Sequence, residues 1–278
     1  MTTGSGFRQQ SDPLHLAARV TQALPDRVGA ALGWKLGQRA RRVLRVARLK
    51  TGGQLAVDVG DYLHRAIFFL GEWEPETTRL FRRLAHPGWT VIDVGANAGY
   101  FSVVAGSLGA PGSRVVAFEP NPQLGNMIAQ SILLNPELDI TLERAAGGDR
   151  AGMMALHMSP EDRNSGLSTL RADLYPHAPT LQVPVLRLDD YCTEHDLRPD
   201  LLKIDVEGFE APVLRGAGWI IEDRVASWVV CEMEPDDPSE LISFMRRRGY
   251  RCSRITESGD LAPFGGMTRT GNVCFSCT

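Results

Sequence analysis

Residues 91–102 read VIDVGANAGYFS, and this stretch decides the fold. A short apolar run carries Asp93 near its end. Gly95 and Gly99 follow, and helix-forming residues begin at Tyr100. Strand, glycine loop and helix in that order form the ligand-binding turn of a doubly wound α/β sheet, where ligands sit at the carboxyl ends of the strands. Glycines there let the chain turn sharply and let a ligand approach the backbone. A dinucleotide cradle needs G-x-G-x-x-G. Here the spacing is D-x-G-x-x-x-G, with Ala96 and Asn97 where a second close glycine would stand. The loop therefore suits a nucleoside better than a diphosphate, and Asp93 offers a carboxylate to a cationic amino group.

Working outward, RVVAFEP (114–120) is a second strand that ends in Glu119 and is stopped by Pro120. An acid at the end of the second strand is placed to accept hydrogen bonds from both hydroxyls of a ribose. Apolar strands then alternate with helical stretches. DITLERAAGG, LLKIDVEG and ASWVVCEMEP read as strands, and PQLGNMIAQSILLN, EAPVLRGAGWII and SELISFMRRRGY as helices, before a final strand NVCFSC. Strands apolar on both faces and alternating with helices predict a mostly parallel sheet covered on both sides. Between 151 and 190 the rhythm changes: MMALHM and LQVPVLRLDDY look like extra strands around the polar loop SPEDRNSGLSTL.

The 278 residues are 43% hydrophobic and 23% charged, an ordinary globular composition. No apolar run approaches the roughly 18 residues of a spanning helix, and the polar start MTTGSGFRQQSDP does not read as a signal peptide. Five cysteines, odd in number and all beyond residue 190, argue against a disulfide framework and for a reducing cytoplasm. Cys274 and Cys277 form a lone CxxC without the second ligand pair of a zinc site.

The net charge of −3 hides an asymmetry. Residues 1–50 carry ten Lys/Arg and two acids, giving +8, so the rest of the chain carries −11. The division expected is a basic helical extension over 1–50 and one domain over 51–278, with LHLAARVTQAL and WKLGQRARRVLRVARLK as amphipathic helices. Such an extension suits packing on the domain or peripheral contact with a membrane surface.

The glycine loop together with VVAFEPNP, ERAAGGDRAG, LRLDDY, LLKIDVEGFE and VVCEMEP, in this order, resembles the FkbM-type S-adenosylmethionine-dependent methyltransferases. FFLGEWEPE upstream resembles their lead-in, and the similarity covers roughly residues 55–278. The resemblance implies a class I methyltransferase fold, Rossmann-like, with a seven-stranded mostly parallel sheet and helices on both faces. It implies S-adenosyl-L-methionine as cofactor and O-methylation of a hydroxyl on a natural product, sugar or glycolipid. Asp93, Gly95, Ala96, Asn97, Gly99 and Tyr100 would surround the methionine part. Glu119 would hold the ribose, and Asn121, Ala145 and Ala146 would lie near the adenine.

Methyl transfer to a hydroxyl needs alignment of oxygen, carbon and sulfur, and removal of a proton. LLKIDVEGFE (201–210) answers that need. Strand alternation puts Lys203 and Asp205 on one side, with Glu207 following as the chain leaves the sheet. WVVCEMEP brings Glu232 and Glu234 to the same edge. Asp205 or Glu207 is therefore expected as base, and Asp205 with Glu232 as ligands if Mg²⁺ takes part. An internal ion pair of Lys203 with one carboxylate is the simpler alternative. Glu210 is expected to start the next helix. His157 is a further candidate base, and Asn164, Ser165 and Ser168 are candidate lid contacts. The expected partner is a small-molecule or glycoside hydroxyl acceptor. RNA methylation is disfavoured by the acidic body and by the lack of interleaved aromatic and basic residues, so no nucleic acid is expected. A non-catalytic cofactor-binding or membrane-docking protein is the third reading. No sequence feature sets an oligomeric state.

Overall fold

The computed structural model describes residues 13–24, 42–159, 165–234 and 238–277, with positions 29, 32 and 35. Helix α1 (Pro13–Ala23) precedes a hairpin of β1 (Leu44–Arg48) and β2 (Gln54–Asp58), then α2 (Tyr62–Leu70) and α3 (Pro75–Leu84). The alternating part follows: β3 (Thr90–Val94), α4 (Tyr100–Gly109), β4 (Arg114–Phe118), α5 (Pro122–Leu134) and β5 (Asp139–Glu143). The irregular region holds β6 (Ala146–Gly147), β7 (Gly152–His157) and β8 (Thr180–Leu186). After α6 (Leu188–Glu194) come β9 (Leu201–Ile204), α7 (Glu210–Arg215), α8 (Gly218–Glu222) and β10 (Trp228–Met233). The chain closes with α9 (Pro238–Arg247), β11 (Arg251–Ile255), β12 (Leu261–Pro263) and β13 (Gly271–Ser276).

Local chemistry accounts for the boundaries that matter to the site. Asp61 caps α2 by accepting from the Leu63 and His64 amides, and Gly71 ends that helix in the left-handed conformation. Pro75 opens α3 and Pro122 opens α5, where a missing N–H costs nothing. Glu210 does start α7, and its carboxylate accepts from the Val206 and Gly208 amides.

The central sheet has the order β12-β11-β13-β10-β9-β3-β4-β5, in which β13 and β12 run antiparallel to the rest. Seven of these strands are the expected sheet, and β12 adds an eighth at the edge. Period-2 alternation divides the core between the two faces. Val91, Val115 and Leu201 join one cluster with Phe68, Phe81 and Trp89. Ile92, Val94, Val116, Phe118, Leu202 and Ile204 join the other with Ile220 and Phe275. Strands β6, β8 and β7 form a separate small sheet, in agreement with the extra strands read from MMALHM and LQVPVLRLDDY.

The N-terminal expectation needs correction. The helix expected to run through Lys50 gives way to strand β1, whose residue Arg48 pairs with Gln54 of β2. Gly52 and Gly53, both left-handed, make the hairpin turn between β1 and β2. RVLRVARLK fits both a 3.6 and a 2.0 period. Burial alternates strand-like through Arg45, Ala47 and Leu49, and pairing with β2 decides the outcome. The hairpin is anchored to α5 by Ala56 N–H donating to Ser131 Oγ at 2.9 Å and by two hydrogen bonds between Gln54 and Asn135. Most of the remaining stretch 25–41 lies outside the described residues, and with it most of the proposed membrane-contacting segment. Among the described residues no helix is long and apolar enough to cross a membrane.

Candidate active site

Strand order reverses between β3 and β9, since β4 and β5 lie on one side and β10 on the other. The carboxyl ends of β3 and β9 therefore flank a crevice, and a cavity of about 220 Å³ opens there. Gly95 turns the chain out of β3 with φ 79°. Its amide and that of Ala96 both donate to the Phe118 carbonyl at 3.0 Å. A Cβ on Gly95 would overlap the Asp205 carbonyl oxygen, so only glycine lets the loop cross the end of β9. Gly99, at φ 85°, caps α4.

The loop is bolted to Glu119. Asn97 N–H donates to Glu119 Oε2 and Asn121 N–H to Oε1, each at 2.8 Å. Asn97 itself is left-handed, with φ 55°, and its side-chain Oδ1 sits 2.9 Å from His64 Nε2. Burial pushes the Glu119 carboxyl up to about 8, against the pull of the two amides. A buried carboxylate held by two fixed donors is oriented before any ligand arrives.

Asp93 and Lys203 are register partners on β3 and β9. Asp93 is buried, accepts a 2.6 Å hydrogen bond from Ser102 Oγ, and has its pKa raised by desolvation. Lys203 is 2% exposed. Its Nζ lies 2.8 Å from Asp205 Oδ2 and 4.8 Å from the centroid of the Phe101 ring. Desolvation alone would lower the Lys203 pKa, but Asp205, Glu74 and Asp93 together raise it. The internal pair weighed from sequence is therefore present: Asp205 is engaged by an ammonium.

Three more carboxylates line the same cavity. Glu207 has φ 54°, and its carbonyl accepts from Thr169 Oγ1 at 2.7 Å. Burial, then Asp205, raise it to about 8. Glu232, beside Asp205 on β10, is raised to about 10 by the same two causes. Glu74 precedes α3 with φ 42° and accepts from Asn272 Nδ2 at 2.6 Å. Burial raises it to about 7.

Of the residues expected around the cofactor, Asp93, Gly95, Ala96, Asn97, Tyr100, Glu119 and Ala146 line the cavity. Tyr100 does so with its hydroxyl 3.0 Å from Thr78 Oγ1. Gly99, Asn121 and Ala145 do not line it; Gly99 caps α4 and Asn121 caps α5 instead. Ser168, from the expected lid, lines the cavity with Gly166, Leu167 and Thr169, while Asn164 lies outside the described residues. His157 is absent from the lining, and its Nδ1 lies 3.1 Å from the Tyr175 carbonyl. Asp205, Glu207 and Glu232 bring oxygens within 4.8 Å of one another. That spacing suits a cation, but Lys203 already supplies positive charge at Asp205, and acidic groups commonly sit this close without an ion. The five cysteines are all free.

Sequence reasoning missed Glu74, His64 and Asn272. Asn272 opens an antiparallel strand, so the start of β13, opposite Glu232, meets the carboxyl ends of the parallel strands. Its signal was a polar residue at the head of the last apolar run.

A parallel sheet with this order, a glycine loop closed over β9 and a strand-end acid fixed by loop amides define a class I methyltransferase. A model of the methyltransferase FkbM domain matches residues 93–252, and the chain belongs to that family. It is 29% identical over 248 residues to the 31-O-demethyl-FK506 methyltransferase FkbM of Streptomyces tacrolimicus, covering 75% of this chain and 89% of that one. To methyltransferase sdnD of Sordaria araneosa it is 29% identical over 194 residues, covering 59% and 74%. The crystal structure of a methyltransferase FkbM from Methylobacillus flagellatus aligns with a TM-score of 0.46 at 15% identity, over 69% of this chain and 44% of that chain. The fold and the family imply S-adenosylmethionine as the methyl donor.

Proposed function

We propose that the protein transfers the methyl group of S-adenosylmethionine to a hydroxyl oxygen of a natural product, sugar or glycolipid. One observation carries the reading: the glycine loop, Glu119 and a cluster of carboxylates line a single cavity at the point where strand order reverses. The name of the Streptomyces relative, which contains an oxygen position of FK506, supports oxygen as the acceptor atom.

The sulfonium methyl is already activated, so the chain has to bind, align and remove a proton. We read Asp93 as the partner of the ammonium of the donor and Glu119 as the partner of its ribose hydroxyls. Gly95 and Ala146 give the backbone close approach to methionine and adenine. Lys203 fixes Asp205 and lowers the cost of keeping carboxylates near the reacting oxygen. At neutral pH Glu207 and Glu232, with raised pKa values, hold protons and serve as hydrogen-bond donors to acceptor oxygens. The Gly166–Thr169 side of the cavity, contributed by the small sheet and its loop, borders the acceptor.

The test is incubation with methyl-deuterated S-adenosylmethionine and a panel of glycosides, polyketide alcohols and matched amines, read by mass spectrometry. Label in ethers and not in amines is expected. Label in amines alone overturns the oxygen assignment.

A further inference from the structure

A base for the acceptor proton has to be buried near the donor methyl, held in one orientation and not committed to a direct ion pair. The candidates read from sequence do not meet all three conditions. Asp205 is held by Lys203, the Glu207 carboxylate has no hydrogen-bond donor among the described residues to orient it, and His157 is outside the cavity lining. Glu74 meets them. It lines the cavity from the N-terminal side of α3, opposite the strand-end acids. Its backbone is left-handed, φ 42° and ψ 69°, a conformation that a residue with a Cβ adopts mainly where the surroundings enforce it. The Asn272 amide at 2.6 Å and the Thr77 hydroxyl fix the carboxylate. Asn272 Nδ2 also donates to Thr77 Oγ1 at 3.3 Å, which sets the plane of the amide that holds Glu74.

We propose that Glu74, oriented by Asn272, is the base that takes the proton of the acceptor hydroxyl, an assignment that rests on the methyl-transfer reading above. The acceptor O–H proton passes to the Glu74 carboxylate while an oxygen lone pair forms the new O–CH₃ bond. The S–CH₃ bond breaks and its electron pair returns to sulfur. The products are a methyl ether, S-adenosylhomocysteine and a neutral Glu74, which returns its proton to solvent. Glu74 faces Lys203 and Asp205 from the end of β9, Tyr100 from α4, Asn272 from β13, and Glu76 and Thr77 on its own helix. Burial among these groups sets it near neutrality, where a base is both ionised and able to accept.

The test needs no identified acceptor. Sinefungin carries a CH–NH₃⁺ group where S-adenosylmethionine carries its sulfonium methyl, so its ammonium reports on whichever carboxylate faces that methyl. Titration calorimetry of full-length protein with sinefungin and with S-adenosylhomocysteine is compared in wild type and Glu74→Gln. Glu74→Gln is expected to weaken sinefungin at least about tenfold, roughly the weight of one buried charge pair, and to leave S-adenosylhomocysteine unchanged. An unchanged affinity ratio overturns the assignment of Glu74 alone. If the wild-type protein binds neither molecule, the methyl-transfer reading itself fails. The wild-type protein gives a second readout should the variant misfold. Sinefungin affinity relative to S-adenosylhomocysteine should rise between pH 6 and 8 as Glu74 ionises, and a flat ratio overturns the assignment.

Discussion

Replacing Gly95 by alanine tests the packing on which the cofactor loop depends, and Gly88 provides its control. Both glycines are left-handed, with φ 79° and 81°. A left-handed alanine costs about 1–2 kcal/mol at either site. The surroundings differ completely. At Gly88 a new Cβ meets nothing within 4 Å. At Gly95 it overlaps the Asp205 carbonyl, which is main chain tied by the Asp205 amide to the Val94 carbonyl at 3.0 Å, and it touches Val206 as well. Main chain cannot rotate away as a side chain does, so overpacking adds about 1–3 kcal/mol. Gly88→Ala should therefore cost about 1–2 kcal/mol and Gly95→Ala about 2–5 kcal/mol. Urea unfolding followed by circular dichroism reads both, as midpoints shifted at unchanged slope. In melting temperature the expectation is about 3–6 °C for Gly88→Ala and about 10 °C for Gly95→Ala. Equal losses in the two variants would refute the close crossing of loop and β9 as the reason for glycine at 95.

Further outcomes follow from the buried charges. Glu119 has a pKa of about 8 in the folded protein against 4.5 as reference, so unfolding releases its proton between those values. The contribution of Glu119 to the stability of the ligand-free protein should fall as pH rises from about 4.5 to 8 and level off above. Glu119→Gln should make that fall shallower in melting scans while weakening cofactor binding; an unchanged slope would show that Glu119 is not a buried neutral acid. Lys203→Met strands Asp205, Asp93 and Glu74 and should cost about 3–5 kcal/mol. Adding Asp205→Asn should recover part of that loss, with a coupling of about 0.5–3 kcal/mol, whereas strict additivity in denaturant titrations would deny the pair. Turnover should survive EDTA, because Lys203 supplies the charge at Asp205; loss reversed by Mg²⁺ would make the Asp205–Glu207–Glu232 triad a metal site.

The parts legible in the sequence are those that local chemistry dictates. Gly95 and Glu119 directly follow strand ends and Gly99 opens the next helix, all fixed by βαβ order, and alternation in LLKIDVEG puts Lys203 and Asp205 on one face without knowledge of the rest of the chain. The parts that were not legible depend on contacts across long separations. Arg45 and Ala47 sit in a strand only because β2 is there to pair with it. Glu74 and Asn272 are 198 residues apart and meet because β13 runs antiparallel between β11 and β10. His64 reaches Asn97 because α2 packs over the glycine loop. Strands β11 and β12 were not read as strands, since RCSRI is only half apolar and LAP is three residues long.

The central claim is that Asp93 and Glu119 hold S-adenosylmethionine in the crevice between β3 and β9. Titration calorimetry of S-adenosylmethionine against the wild-type chain, Asp93→Ala and Glu119→Ala tests it most directly. The wild type should bind with a dissociation constant on the order of micromolar, and binding should be largely lost in both folded variants. Unchanged affinity in both variants would contradict it.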